Sequence, residues 1–259
     1  MAADLLHPLA APFALHPDRE DVVLLLHGWT GSPSHFRLLA ADLVAAGFGV
    51  TVPLLPGHGT AISAMTTVGW KDWLRTAAEA ADDVLASGAR LHLGGLSMGG
   101  LLGILLATTF EVATLTTINT PLRTFEWRIH LSPLVKGSPK VITRAEPERP
   151  DGFAADYDHG YRDTPIGSVA DLRILMRSAR RALPRVTVPS LVIQSRTDET
   201  VRPVSGSIIH DRIGSSRRRL VWLEESTHVA TIDVERHRVA EEMIHHIGLA
   251  TGRPSRGPA

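Results

Sequence analysis

The run Gly95-Leu96-Ser97-Met98-Gly99-Gly100 sets a serine between two glycines, each two positions away. A serine so flanked, leaving a strand and opening a helix, can occupy a turn too tight for neighbouring side chains, with its hydroxyl raised above a sheet edge. The helix that follows turns its first amides and its positive dipole end toward the reacting centre. Such a hydroxyl is a nucleophile once a base takes its proton and a carboxylate orients that base. Thirteen histidines are available, so position must choose among them. His228 lies in Ser226-Thr227-His228-Val229, directly after the last expected strand, and is the candidate base. His27 ends a strand and reads as a packed, hydrogen-bonded residue, while His58, in Pro56-Gly57-His58-Gly59, reads as a structural rather than catalytic residue of a tight surface loop. His237, His245 and His246 fall on the closing helix, where solvated or capping roles are expected. Asp198, just past a strand, is the candidate carboxylate, with Glu199 as the fallback; the strand ending at Ile118 runs into Asn119-Thr120-Pro121 and offers no acid. An oxyanion also needs two converging N–H donors. His27-Gly28-Trp29-Thr30-Gly31 supplies one at Trp29, and Met98, the residue after the serine, supplies the other.

Periodicity describes the elements that must hold these residues. Residues 22–26 are a continuous apolar run between charge and glycine, the pattern of a parallel strand buried on both faces. A helical stripe over 34–46 stops at Gly47, and 49–54 is a second strand. Residues 70–86 form a helix, 91–93 a strand leading into the glycine-rich turn, 99–108 a helix and 112–118 a strand. The rhythm breaks between Pro121 and about Pro184, then resumes with strand 191–194, helix 204–213, strand 220–223 and helix 234–247. Alternating strands and helices imply right-handed crossovers and a mostly parallel sheet. The expected organisation is an α/β core over 1–120 and 185–250, an insertion over 121–184, and a flexible tail over 251–259. Within the insertion, Val169, Leu172, Met176, Ala179 and Leu183 recur at helical spacing, and 147–163 reads as a mobile polar loop.

Composition narrows the function classes. The chain has 259 residues, with 27 Lys+Arg against 27 Asp+Glu, 44 % hydrophobic and 21 % charged residues. That apolar content excludes a disordered chain, and the even charge argues against nucleic acid or anionic membrane as a general partner. There is no cysteine, which excludes disulfides, a thiolate nucleophile and cysteine-based zinc sites. No apolar run approaches the roughly 18 residues of a membrane span, and the first residues lack the basic start of a secretory signal. A cytoplasmic protein, monomer or homodimer, is expected.

Leu24-Leu25-Leu26-His27-Gly28-Trp29-Thr30-Gly31, Pro56-Gly57-His58-Gly59, Gly95-Leu96-Ser97-Met98-Gly99-Gly100, Thr197-Asp198-Glu199-Thr200-Val201 and Ser226-Thr227-His228-Val229 together resemble the α/β-hydrolase superfamily. Within it, the sequence is similar to bacterial carboxylesterases and monoacylglycerol lipases. The likeness runs from about 22 to 247. It implies a mostly parallel sheet flanked by helices, with a small cap, 121–184, inserted after the sixth strand of the family's pattern. The order Ser97, Asp198, His228 is the family's order of nucleophile, acid and base. The amides of Trp29 and Met98 would form the oxyanion hole, and no metal or cofactor is implied. Trp29 departs from the phenylalanine common in such relatives, and its larger indole would reshape an acyl pocket.

The expected activity is hydrolysis of short- to medium-chain acyl esters through an acyl-enzyme, with monoacylglycerol the favoured substrate. Phe125, Trp127 and Ile129, continued by Leu131, Leu134 and Val135, form a dense apolar stretch. It either lines an acyl tunnel or packs as a lid, and Trp29, Phe125, Trp127 and Ile129 are the candidate substrate contacts. The same triad serves C–C bond hydrolases, lactonases and cofactor-free haloperoxidases, and a ligand sensor could reuse the fold without turnover. Epoxide hydrolases and dehalogenases are disfavoured because they carry aspartate where Ser97 stands.

Overall fold

The computed structural model of the protein describes residues 6–125, 140–143 and 150–252. Its strands, in chain order, are β1 (Phe13–Leu15), β2 (Asp21–Leu26), β3 (Gly49–Val52), β4 (Arg90–Leu96), β5 (Thr114–Ile118), β6 (Val141–Thr143), β7 (Asp163–Pro165), β8 (Ser190–Ser195) and β9 (Arg218–Leu223). The helices are α1 (Arg37–Ala45), α2 (Trp70–Ala86), α3 (Met98–Leu106), α4 (Ile166–Ala182), α5 (Val204–Arg212) and α6 (Arg236–Thr251). Seven strands form one sheet in the order β1-β3-β2-β4-β5-β8-β9. All neighbours are parallel except β1, which runs antiparallel to β3 at the edge. β6 and β7 pair antiparallel apart from this sheet.

The apolar run of β2 is buried along its whole length because both faces of the sheet are covered. Val22, Leu24 and Leu26 pack into the cluster that includes residues of α2, α3 and α4, while Val23 and Leu25 pack with residues of α1 and α6. Helix α2 presents Trp73, Ala77, Ala81 and Val84 to the sheet. The indole of Trp73 also donates to the Pro56 carbonyl at 3.0 Å, fastening the following loop. Leu172, Leu175, Ala179 and Ala182 of α4, a helix that falls inside the expected insertion, join the same cluster as α2 and α3.

Several boundaries differ from expectation for identifiable reasons. β4 continues straight through Gly94 and Gly95 to Leu96, so the turn is confined to Ser97. A side chain on Gly94 would press on Leu25 and Met243, which is why glycine stands in mid-strand. A short 3-10 turn, Pro33–Phe36, precedes α1 and is capped by the Ser32 hydroxyl. β1 has three residues, too few for a period to register, and its pairing partner β3 lies far along the chain. α6 runs on to Thr251 and stops at Gly252, whose φ of 72° is the left-handed cap of a helix end.

Candidate active site

The parallel strands carry their C-terminal ends, and so the loops after β2, β4, β5, β8 and β9, to one edge of the sheet. Ligands bind at such an edge in open α/β folds. Ser97 sits there with φ 53° and ψ −118°, a strained conformation for a residue with a side chain. The surroundings enforce it: a Cβ on Gly95 would collide with the Gly99 backbone, and one on Gly99 with the Leu26 carbonyl. The Ser97 amide donates to the Ile118 carbonyl at 2.8 Å, tying the turn to the end of β5. The side chain is mostly enclosed, with 8 % exposure for the residue.

The Ser97 hydroxyl lies 3.0 Å from Nε2 of His228, and Nδ1 of His228 lies 2.9 Å from Oδ2 of Asp198. Since the carboxylate can only accept, Nδ1 carries the proton and Nε2 presents its lone pair to the serine hydroxyl. The second oxygen of Asp198 accepts the amides of Thr200 and Val201 at 2.8 and 2.7 Å, which fixes the carboxylate plane. Glu199, the alternative acid, instead takes the His228 backbone amide at 3.1 Å. The three residues gathered from loops after β4, β8 and β9 thus form a serine–histidine–carboxylate relay.

On the other side of Ser97 lies the loop after β2. Gly28 is packed so closely that a Cβ there would meet the Ser97 Cβ at 3.3 Å. Among the described residues, the amides of Trp29 and Met98 donate to no acceptor. The Trp29 indole donates to the Ser168 hydroxyl at 3.1 Å, at the start of α4, so the ring is held by a helix far along the chain. His27 is wholly buried and accepts the Leu55 amide at 3.1 Å, as expected of a packed histidine.

His58 is bonded as a structural residue, but its ring is buried although its loop was expected at the surface: its Nε2 accepts the Thr30 amide at 3.2 Å while Nδ1 donates to the Pro56 carbonyl at 3.0 Å. Burial lowers its pKa to about 4, which keeps the ring neutral and able to accept. Burial, then the neighbouring His58, holds His27 well below the usual histidine value. His246 is also buried rather than solvated, donating toward the Pro189 carbonyl at 3.3 Å, and burial lowers it to about 4.

The described part of 147–163, expected as a mobile loop, is pinned to the site. Asp158 pairs with His35 at 3.0 Å, His159 N–H donates to the Ser34 hydroxyl at 3.3 Å, and Ala154 N–H donates to the Ile232 carbonyl at 2.8 Å. A polar composition suggested mobility because the partners of these groups lie far along the chain, more than a hundred residues away for Asp158 and His159. Phe125 is 49 % exposed and lies under the Arg202 guanidinium, its amide donating to the Thr200 carbonyl beside Asp198. Trp127 and Ile129 lie outside the described residues, as do Leu131, Leu134 and Val135. Among the described residues no three His, Asp or Glu side chains cluster so as to hold a metal ion, and no helix is long and apolar enough to cross a membrane.

Sequence reading passed over Asn119. Its side-chain amide donates to the carbonyls of His228 and Thr227 at 2.9 and 3.2 Å and to the Ser195 hydroxyl at 2.9 Å. A polar residue at the end of a strand in the expected sheet was the available signal.

Residues 23–242 match the family described as the alpha/beta hydrolase family. A thermostable monoacylglycerol lipase of Bacillus sp. (strain H-257) is 29 % identical over 238 residues, covering 89 % of this chain and 91 % of that one. A carboxylesterase of Bacillus subtilis (strain 168) is 24 % identical over 225 residues, covering 86 % and 91 %. A solved structure from work on LipS and LipT, two metagenome-derived lipolytic enzymes, superposes with a TM-score of 0.87 at 32 % identity, over 94 % of this chain and 99 % of that one.

Proposed function

Since the chain belongs to the alpha/beta hydrolase family, we propose that it hydrolyses carboxylic esters through Ser97 as nucleophile, His228 as general base and Asp198 as the acid that orients it. The observation that carries this reading is the continuous relay from Ser97 through His228 to Asp198, at 3.0 and 2.9 Å. His228 takes the proton as Ser97 attacks the ester carbonyl, and the amides of Trp29 and Met98 donate to the developing oxyanion. The proton then passes to the departing alcohol, leaving an acyl-enzyme that water cleaves by the same steps in reverse. The sequence of steps requires no cofactor.

A monoacylglycerol with a short to medium acyl chain is the substrate we favour. The similarity to a monoacylglycerol lipase at 29 % identity supports it, as does the apolar stretch that begins at Phe125. Substrate choice is assigned to the segment 121–184 together with the Trp29 indole, which α4 holds through Ser168.

Initial rates on p-nitrophenyl esters from acetate to palmitate, for wild type and Ser97→Ala, test the proposal. Turnover peaking at medium chains and falling on the order of 10³–10⁶-fold in Ser97→Ala is expected. Near-normal turnover in Ser97→Ala overturns the mechanism, and a sharp optimum at acetate overturns the substrate.

A further inference from the structure

The Ser97 turn and the His228 loop meet at two consecutive residues, the last of β5 and the one after it. The Ile118 carbonyl accepts the Ser97 amide at 2.8 Å, and the next residue, Asn119, holds the backbone of His228 itself. Asn119 is fully buried, and every polar group of its side chain is engaged. Nδ2 donates to the carbonyls of His228 (2.9 Å) and Thr227 (3.2 Å) and to the Ser195 hydroxyl (2.9 Å). Oδ1 accepts the Ser195 amide at 2.7 Å and the Gln194 side-chain amide at 3.1 Å. The Ser195 hydroxyl closes the set by donating to the Thr227 carbonyl at 3.2 Å.

Residue type and backbone conformation agree here. Asn119 has a φ of 45°, a left-handed value that asparagine tolerates better than most residues. Only an amide side chain supplies donors to the two loop carbonyls and an acceptor to the Ser195 amide at once. Aspartate is the same shape but would turn an oxygen toward two carbonyl oxygens.

We propose that Asn119 is a positioning residue for the catalytic base: through the carbonyls of Thr227 and His228 it locks the histidine loop to the strand end that also anchors Ser97. The proposal rests on the reading of Ser97 and His228 as nucleophile and base. Nucleophile and base are thereby referred to one joint, Ile118–Asn119, rather than to two independently moving loops. Misplacement of a catalytic group by about 1 Å costs on the order of 10²-fold in rate, so loss of this lock is read in the chemical step and not in substrate binding.

Two variants separate the side chain from the backbone conformation. Asn119→Gly removes every side-chain bond and relieves the left-handed φ, whereas Asn119→Ala removes the bonds and keeps the strain. With p-nitrophenyl acetate, and rates normalised to folded protein by circular dichroism, kcat is expected to fall about 10- to 100-fold in both, with KM within about threefold of wild type. A kcat within about twofold of wild type in Asn119→Gly overturns the proposal, because backbone strain rather than the side chain would then be the reason for asparagine. Should neither variant fold, Asn119→Asp, which keeps the shape but replaces the Nδ2 donor to the Thr227 and His228 carbonyls, decides by the same criterion. Amide hydrogen exchange over residues 224–229 reads the lock without any turnover: faster exchange in Asn119→Gly supports it, and unchanged exchange overturns it. If wild type turns over no ester and is not labelled by a fluorophosphonate, the functional reading fails on its own, while the exchange experiment still judges the lock.

Discussion

The backbone amide of Tyr161 donates to the carbonyl of Thr30 at 2.7 Å, joining the segment before β7 to the loop that carries the Trp29 amide. His58 grips the same residue from the opposite side through the Thr30 amide. The Tyr161 hydroxyl donates to the Gly57 carbonyl at 3.1 Å and accepts the Thr60 amide at 2.9 Å. One tyrosine therefore cross-links the two loops that flank Ser97 on the β2 side. Thr30 has a φ of 64°, a conformation that needs such support in a β-branched residue.

Tyr161→Phe should expose this linkage. It keeps the Thr30 contact and deletes the two hydroxyl bonds, so stability should fall by about 1–2 kcal/mol. If the Trp29 amide serves the oxyanion as proposed, loosening of its loop should lower kcat a few-fold, with KM nearly unchanged. Thermal unfolding and steady-state kinetics on one short ester check both; an unchanged kcat would remove the loop coupling from the account.

Carboxylates hold the other side of the site. Glu235 accepts the amides of Glu224, Glu225 and Ser226, Asp233 accepts that of Thr227, and Glu199 accepts that of His228. Successive amides concentrate partial positive charge that suits an anion. Burial pushes the Glu235 carboxyl upward, but the three amides outweigh it and leave the group below its ordinary value. A depressed carboxylate contributes stability that is present above its unfolded pKa and is lost as pH falls through the folded value. Glu235→Gln should destabilise the protein by about 1–3 kcal/mol at pH 7. The gap between variant and wild type should narrow as pH falls below about 4.5, in chemical denaturation followed at several pH values. A gap that stays constant with pH would show that charge plays no part.

Two buried histidines also cost stability on acidification, here because burial opposes their charged form. His58 and His246 have pKa values lowered by burial to about 4. The unfolded chain takes up these protons near pH 6.5 and the folded chain only near 4, so stability falls as pH drops through that window and levels off below it. Each group accounts for up to roughly 3 kcal/mol of that loss. His246 lies against Pro189, at the start of β8 and the opposite edge of the sheet from Ser97. His246→Leu should therefore flatten the decline in melting temperature between pH 7 and 5 while leaving kcat at pH 7 unchanged. An equally steep decline in the variant would exclude His246 as a contributor.

Where sequence reading succeeded, the signal was local. The span 70–86 coincides with α2 because its buried residues repeat at the helical period and Gly69 and Gly88 bracket it. Ser97 and its turn were legible because crowding at a strand–helix joint admits only glycine at Gly95 and Gly99. Position at a strand end was enough to select Asp198 and His228, which the fold brings within hydrogen-bond reach of each other. The strand at β4 was cut short for a related reason: glycine in a strand carries no side chain to mark the period, and Gly94 and Gly95 looked like the turn itself.

Residue chemistry and period, both local properties of the chain, thus determined the α/β class and the identity of the candidate triad. Tertiary structure alone decided how that triad is held. Asn119 looked like an absence because it lacked a carboxylate; its role depends on Ser195, 76 residues on, and on His228, 109 residues on. The loop of His58 read as a surface loop, yet Thr30 and Trp73 lie against its ring, and the segment around Asp158 and Tyr161 looked loose until His35 and Thr30 met it. In each case the partner is a backbone amide or carbonyl, or a side chain distant in sequence. Every residue but proline carries the same two backbone groups, so no local pattern marks which of them a polar side chain will find once the chain has folded.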